Sequence, residues 1–240
     1  MSRSLKSGLP MIADHEGPTD TLRIVKEKDL KTRVYERLRS LIEQEELPIG
    51  KFLGAGELSV RLAVSRTPVR EALLQLQKEG FVEIVRSRGI RVLAVTADYV
   101  RSVYEMRIAI EGYATWRAAT EMDDRERDAL GGLVRLQEEK IEADDAHWLD
   151  ATEALHRFLV DRLKNELLST QVAQLIGHHT RIRRLAAGLR ARRHHALDEH
   201  RTIGDALLQR NAAAAYDAMA RHLMSVADDV MRALNERSNR

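Results

Sequence analysis

The first third of the chain combines helical patterns with one strand-like pattern. Apolar residues at three- and four-residue spacing predict a first helix, formed around Leu30, Val34, Leu38, Leu41 and Ile42. Leu58 and Leu62 predict a short second helix, and Ser65 is placed to cap a third helix that stops at Gly80. Two loosely alternating segments, 81–85 and 90–95, then predict a small hairpin. The predicted order is three helices followed by a two-stranded wing.

Beyond Thr96 the pattern becomes helical throughout. No proline occurs from residue 69 to residue 240, and short polar joints separate six predicted helices. These lie near 97–120, 123–142, 145–163, 166–190, 193–210 and 212–235. Residues 1–21 show no periodicity and are predicted to be a disordered tail. The fold class is therefore mainly α, with a winged helix-turn-helix domain over 22–95 and an all-α bundle over 96–240.

Composition narrows the class of protein. The 240 residues are 44% hydrophobic and 32% charged, which is typical of globular domains, and no apolar run is long enough for a membrane span. The absence of cysteine excludes disulfides and thiolate sites, and the first twenty residues lack the apolar core of a secretory signal. Residues 22–95 carry a net charge of +5, whereas residues 96–240 carry −2. We therefore expect a cytoplasmic protein whose front half alone meets a polyanion.

The third predicted helix has the chemistry of a DNA-recognition helix. Arg66, Thr67 and Arg70 lie on its exposed side near its amino-terminal end, where forked donors reach guanine edges or phosphates. Arg88 and Gly89, at the tip of the wing, are placed to approach an adjacent minor groove. The alternative is an ordinary three-helix packing unit whose arginines are only solvated.

This front segment resembles the winged helix-turn-helix domain of the GntR family of bacterial repressors. The resemblance rests on the run Ser65-Arg-Thr-Pro-Val-Arg-Glu-Ala-Leu73, then Leu76, Glu79-Gly80-Phe81-Val82 and Arg88-Gly89. It implies contacts with double-stranded operator DNA at Ser65, Arg66, Thr67, Arg70 and Gly89. It also implies a homodimer on a pseudo-palindromic site. Gly56 stands where many relatives carry Arg or Glu.

The back half resembles the helical effector domain, called FCD, of the FadR subfamily. The resemblance rests on Tyr104-Glu-Met-Arg107 with Glu111, then Leu155-His156, His200 with Ile203, Ala206 and Leu207, and Met219 with His222-Leu223. It covers about residues 30–230 together with the front motif. It implies that a small molecule bound in the bundle controls operator affinity. In the family, the arginine matching Arg107 faces the effector cavity.

Three histidines share one property, which is that each lies on the apolar stripe of a different predicted helix. They are His156, His200 and His222. A single inward histidine is usually a satisfied core residue, but three in one core need a shared partner, and a divalent ion such as Zn²⁺, Ni²⁺ or Mn²⁺ supplies it. Many FadR-subfamily relatives add a carboxylate four residues before the first histidine, where this chain has Thr152. Glu153 and Asp150 are interpreted as out of phase.

Two further residues are candidates for effector binding. His179 falls on the apolar stripe of its helix and is a reserve ligand or pocket donor, whereas His178, His194, His195 and His147 are interpreted as surface or joint residues. Arg107 is predicted to be partly buried, paired with Glu111 or facing an effector, and the two are compatible.

We therefore expect a regulator, most simply a repressor and not an enzyme, that senses a small carboxylate. The alternatives are a metal-dependent enzyme using the three histidines and a constitutive DNA-binding protein with a structural bundle.

Overall fold

The computed structural model describes residues 29–186 and 192–238, and its amino-terminal elements follow the predicted order. They are α1 (Leu30–Glu43), β1 (Phe52–Leu53), α2 (Ala55–Arg61), α3 (Arg66–Lys78), β2 (Val82–Val85) and β3 (Gly89–Val92). We refer to α1–β3 as the winged-helix unit. Its core contains Val34, Leu38, Leu41 and Ile42 of α1, together with Leu58, Val69, Leu73, Leu76 and Phe81. Leu30, which the pattern placed on the same stripe, is exposed. Burial of this apolar surface holds the three helices against the sheet.

The tight turn before α3 differs in detail from the prediction. Ser65 is the residue that precedes the helix, as predicted, but its hydroxyl makes no capping hydrogen bond. The backbone reverses at Ala63, which has a φ of 54°. Pro68 lies in the first turn, where its missing N–H costs nothing.

The wing contains one strand more than the sequence predicts. Strand β3 pairs antiparallel with both β2 and β1, so the sheet order is β1-β3-β2. A two-residue strand is too short to show alternation, which is why β1 was missed. The hairpin strands are also shorter than predicted, because Phe81 enters the core and residues 93–95 leave the sheet as a connection.

The carboxy-terminal elements form the helical bundle. They are α4 (Ala97–Arg107), a π-helical turn (Ile108–Gly112), α5 (Tyr113–Glu121), α6 (Asp124–Lys140), α7 (Asp145–Asp161), α8 (Glu166–Ala186), α9 (Arg192–Leu208) and α10 (Ala212–Ser238). The predicted helix over 97–120 is thus interrupted by a π-helical turn, a feature common at functional positions. The predicted tail over 1–21 and the predicted end of the fourth bundle helix, 187–190, lie outside the described residues.

The bundle buries its own core and also contacts the winged-helix unit. Tyr104, Leu130, Leu155, Leu159, Ile182 and Ile203 are among its fully buried side chains. Helix α8 packs against both α4 and α1, so it bridges the two units. Within the described ranges, no helix is long and apolar enough to cross a membrane. The predicted fold class is confirmed.

Candidate functional site

The amino-terminal end of α3 presents a cluster of polar side chains. Ser65, Arg66, Thr67 and Arg70 are all exposed. Neither Arg66 nor Arg70 forms an ion pair within the described part of the chain, so both guanidinium groups keep their donors available. The guanidinium of Arg66 packs over Gly56, whose added Cβ would lie 3.4 Å from Nη2. The small residue at position 56 therefore leaves room for the Arg66 side chain.

The wing tip is shaped by the strand that the sequence did not reveal. Gly89 has a φ of +105°, and a Cβ there would lie 2.3 Å from the carbonyl oxygen of Leu53 in β1. Only glycine fits this close approach. The Arg88 guanidinium lies 5.7 Å from the ring centroid of Phe52, also in β1, which favours one orientation of the wing arginine. Gly89 is thus required by packing, whatever it contacts.

The three predicted histidines meet in the core of the bundle. His156 on α7, His200 on α9 and His222 on α10 are all buried, and their candidate ligand atoms lie within 4.8 Å of one another. The Nε2 atoms of His200 and His222 are 3.1 Å apart. Two nitrogens bound to one ion at about 2.1 Å lie roughly 3.0–3.4 Å apart for octahedral to tetrahedral angles, so this spacing fits a shared metal. We call these residues the histidine triad.

Each member of the histidine triad uses its Nδ1 atom to bind a polar partner. Nδ1 of His156 donates to Glu111 and Nδ1 of His222 donates to Glu199, both at 2.7 Å. Nδ1 of His200 lies 2.6 Å from the Gln137 side-chain oxygen and donates to it. With Nδ1 protonated, each neutral ring carries its lone pair on Nε2. The facing lone pairs of His200 and His222 repel unless a cation lies between them, and such outer partners are typical of metal-binding histidines.

Burial keeps two of these rings neutral. Burial lowers the pKa of His200 well below its usual value, and the neighbouring His222 lowers it further. Burial lowers the pKa of His222 to about 4, although the hydrogen bond to Glu199 opposes the shift. Neutral imidazole is the form that binds metal, so both rings are prepared for it at neutral pH.

Three residues of α7 that precede His156 in the sequence were considered as further metal ligands. Thr152 lines the cavity, but its hydroxyl donates to the backbone oxygen of Leu149, 2.9 Å away, so it is not prepared as a ligand. Asp150 is exposed, as expected from its phase. Glu153 also lines the cavity, beside His179 and Arg107, but among the described residues the group that could share an ion consists of the three histidines without it. The face of α7 that borders the cavity therefore includes polar residues beside the apolar ones that the sequence pattern reveals.

Arg107 and His179 meet beside the histidine triad. The free-energy cost of burying the Arg107 guanidinium is offset by Glu111, which accepts hydrogen bonds from Nε at 2.5 Å and from Nη2 at 3.1 Å. Burial alone would raise the pKa of Glu111, but Arg107 and His156 lower it to about 2. Nη1 of Arg107 donates to Nε2 of His179 at 2.6 Å, and Nδ1 of His179 lies 3.3 Å from Glu153. Both nitrogens of His179 are engaged, which disfavours its reserve role as a metal ligand.

These groups line a cavity of about 100 Å³. The histidine triad, Arg107, Glu153 and His179 form part of its wall, and Trp148 with the first residues of α9 forms another part. Arg193 donates to the backbone oxygens of Ile141 and Ala143 and is paired with Asp145. Arg192 is paired with Glu199 and Asp229. The cavity therefore contains several cations, each matched by a carboxylate.

Sequence reasoning missed three residues around these groups. Gln137 and Glu199, which hold triad histidines, carry no signal of their own, because polar residues on α6 and α9 are indistinguishable from solvated ones. His178 was interpreted as a surface or joint residue, but its ring stacks on Phe81 of the winged-helix unit, with centroids 4.5 Å apart. His147, His194 and His195 are exposed at the surface.

The winged-helix unit and the helical bundle define a class of protein, a DNA-binding module joined to a helical ligand-binding module. The family model of the bacterial regulatory proteins of the gntR family matches residues 30–92, and that of the FCD domain matches residues 102–225. The chain belongs to the GntR family and carries an FCD domain. It is a DNA-binding transcriptional regulator with a carboxy-terminal effector-binding domain, as predicted.

Similar proteins cover most of the chain. A regulator of the helix-turn-helix type from Streptomyces ambofaciens is 32% identical over 83% of this chain and 84% of its own. The transcriptional repressor RspR from Escherichia coli is 29% identical over 86% of this chain and 91% of its own. Among solved structures, E. coli McbR/YncC aligns over 86% of this chain and 99% of its own with a TM-score of 0.67 and 18% identity, which supports the fold.

Proposed function

We propose that the chain binds a pseudo-palindromic operator as a cytoplasmic homodimer and acts as a repressor released by a small carboxylate. The exposed amino-terminal end of α3 supports the DNA-contacting role of Ser65, Arg66, Thr67 and Arg70. Arg88 and Gly89 at the wing tip supply the contact to the flanking groove. The observation that carries this part is that Arg66 and Arg70, one helical turn apart on a basic unit, form no ion pair with any residue that the structure describes.

Replacing Arg66 or Arg70 by alanine is expected to cost about 1–3 kcal/mol of operator binding, because each can make a bidentate base contact. A site is first selected by the wild-type chain from a random DNA library, and dissociation constants are then measured at several salt concentrations. Arg157→Ala, at an exposed position of the bundle, is the control. Unchanged operator affinity in both variants would contradict the assignment of α3 as the recognition helix.

An uncharged stripe along α4 and α5 supports the homodimer. The exposed positions of this face recur every three or four residues and are Ser102, Met106, Ala109, Tyr113, Trp116 and Thr120. Tyr113 and Trp116 stack with ring centroids 6.3 Å apart. A seven-residue repeat of small and large uncharged side chains is the pattern by which two helices pack along a seam. A second copy across a two-fold axis would present the same stripe.

We also propose that the histidine triad holds one divalent ion, of the class Zn²⁺, Ni²⁺ or Mn²⁺. Three Nε2 atoms would ligate it, and Glu111, Gln137 and Glu199 would hold the three rings in the required tautomer. When bound, the ion supplies positive charge and vacant coordination positions that face the cavity.

The charge balance of the cavity supports a carboxylate effector only together with the ion. Arg107 was expected to pair with Glu111, to face an effector, or both, and its guanidinium is held by Glu111 and His179. Arg192 and Arg193 are also matched by carboxylates. Paired cations attract an anion weakly, so the attraction depends on the charge of the ion. Arg107 retains N–H groups beyond its three bonds, and these can orient a ligand carboxylate.

Carboxylate binding is therefore expected to require metal. Small carboxylic acids, including citrate and malate, are expected to raise the melting temperature of zinc-loaded protein by several degrees and to leave chelator-treated protein unchanged. Arg107→Lys, which preserves the charge facing Glu111, should reduce the shift, because lysine lacks the planar fork. If neutral sugars or amines stabilise the protein and carboxylates do not, the proposed effector class is wrong. If nothing stabilises it, a constitutive DNA-binding protein is favoured.

A further inference from the structure

Two consecutive residues of α8 face two different parts of the molecule. The His179 ring is buried in the wall of the cavity, whereas the His178 ring lies against the winged-helix unit. Neighbouring side chains on a helix point about 100° apart, which allows one turn of α8 to contact both places.

The His178 end is built into the core of the winged-helix unit. The His178 ring stacks on Phe81 at an interplanar angle of 13°, and Phe81 is fully buried. Nδ1 of His178 is hydrogen-bonded to the hydroxyl of Tyr99 on α4. One turn further on, Nη2 of Arg181 donates to the backbone oxygen of Leu93 at 2.6 Å, and the backbone N–H of Leu93 donates to Phe81. Helix α8 is thus fixed both to the core of this unit and to the residue that directly follows β3.

The His179 end is built into the cavity. Nε2 of His179 accepts from Arg107 on α4, and Nδ1 faces Glu153 on α7. Arg107 and Glu153 both line the cavity. A ligand that binds either group competes with His179 for its partner. The free energy of the α8 position then depends on the occupant of the cavity.

We infer that α8 couples the cavity to the DNA-binding unit through the His179–His178 pair, with the stack of His178 on Phe81 as the mechanical link. This inference rests on the proposed function in one respect, namely that cavity occupancy controls operator affinity. A change at His179 shifts a rigid helix turn, and the tightly packed stack transmits the shift to Phe81 and Leu93. Phe81 directly precedes β2 and Leu93 directly follows β3, the two strands that form the wing hairpin.

A double-mutant cycle on the full-length chain tests the coupling without metal or effector. Glu153→Gln changes the cavity end, His178→Ala removes the stack, and Asp150→Asn, an exposed change on the same helix as Glu153, is the control. The readout is native-state hydrogen exchange at the amides of Leu93 and Phe81. We expect Glu153→Gln to alter these rates about fivefold or more in the wild type and less than about twofold in the His178→Ala background.

His178→Phe keeps an aromatic stack on Phe81 and is expected to retain the response to Glu153→Gln. It also keeps the test valid if the alanine variant fails to fold. An equal response in the His178→Ala and wild-type backgrounds, or no response in the wild type, would overturn the inference. The outcome is independent of DNA binding, which the Arg66 and Arg70 variants address separately. Failure of the coupling and failure of the proposed function are therefore distinguishable.

Discussion

Replacement of His200 by alanine is expected to weaken zinc binding by more than about 100-fold, because loss of an outer hydrogen-bond partner alone costs about 10–100-fold. His200 provides one of three candidate nitrogens, and its Nε2 atom faces that of His222 at 3.1 Å. No carboxylate at position 152 replaces the lost nitrogen. The measurement is a zinc titration by calorimetry on chelator-treated protein, together with elemental analysis of protein purified without a histidine tag.

His194→Ala provides the matched control for this prediction. His194 lies on the same helix, α9, is exposed and faces Glu142 and not a partner of the histidine triad, so its removal should leave zinc binding unchanged. His200→Gln keeps a polar side chain in the core and separates loss of the ligand from loss of the fold, which circular dichroism reports. Zinc binding of wild-type strength in both His200 variants would return the histidine triad to a purely structural role.

Most of the fold was predictable because features of the local sequence indicate where its helices begin, end and face the core. The apolar stripe of α1, the break before α3 and the glycine after it are all properties of a few adjacent residues. Strand β1 was not predictable, since its two residues become a strand only by pairing with β3. The π-helical turn at 108–112 likewise has no local signature in the hydrophobic pattern. Gly112 in this turn lets the ring of Tyr216 on α10 pack closely against the backbone. A Cβ at position 112 would lie only 2.7 Å from that ring.

The candidate site was predictable where a residue was anomalous in its local context. His156, His200 and His222 stood out as polar rings on apolar stripes, and all three are buried together. Glu111, Gln137 and Glu199 could not be assigned as their partners, because a hydrogen bond between helices depends on tertiary packing. His178 was missed for the same reason, since nothing near it in the sequence indicates that Phe81 is its neighbour.

The electrostatics of the cavity required the structure. The sequence allowed Arg107 to pair with Glu111 or to face an effector, and only the hydrogen bonds and ion pairs show that the buried arginines around the cavity are matched by carboxylates. An unpaired buried charge would cost several kcal/mol, so such matching is physically necessary in the ligand-free protein. An ion bound by the histidine triad would therefore determine whether the cavity prefers an anionic ligand or a neutral one.

The uncharged stripe along α4 and α5 gives the second prediction with a large expected effect. Trp116→Glu is expected to convert the proposed homodimer into a monomer, because a carboxylate placed in the uncharged stripe is desolvated when a second copy covers that face. Trp116 is the largest side chain of the stripe and is 45% exposed in the single chain. Light scattering after size-exclusion chromatography measures the mass. Leu208→Glu, at an apolar position of similar exposure (50%) on α9 that is not part of the stripe, is the control and should stay dimeric.

The same variant should lose operator binding although its recognition helix is intact. A dimer contacts two half-sites, and linking two modules raises affinity by about 100- to 10,000-fold over one module. Trp116→Glu is therefore expected to bind the full operator at least about 100-fold more weakly, and to bind full and half operators with nearly equal affinity. Leu208→Glu should still prefer the full site. If Trp116→Glu remains a dimer with wild-type affinity, the two copies associate through another face, and the uncharged stripe needs a different partner.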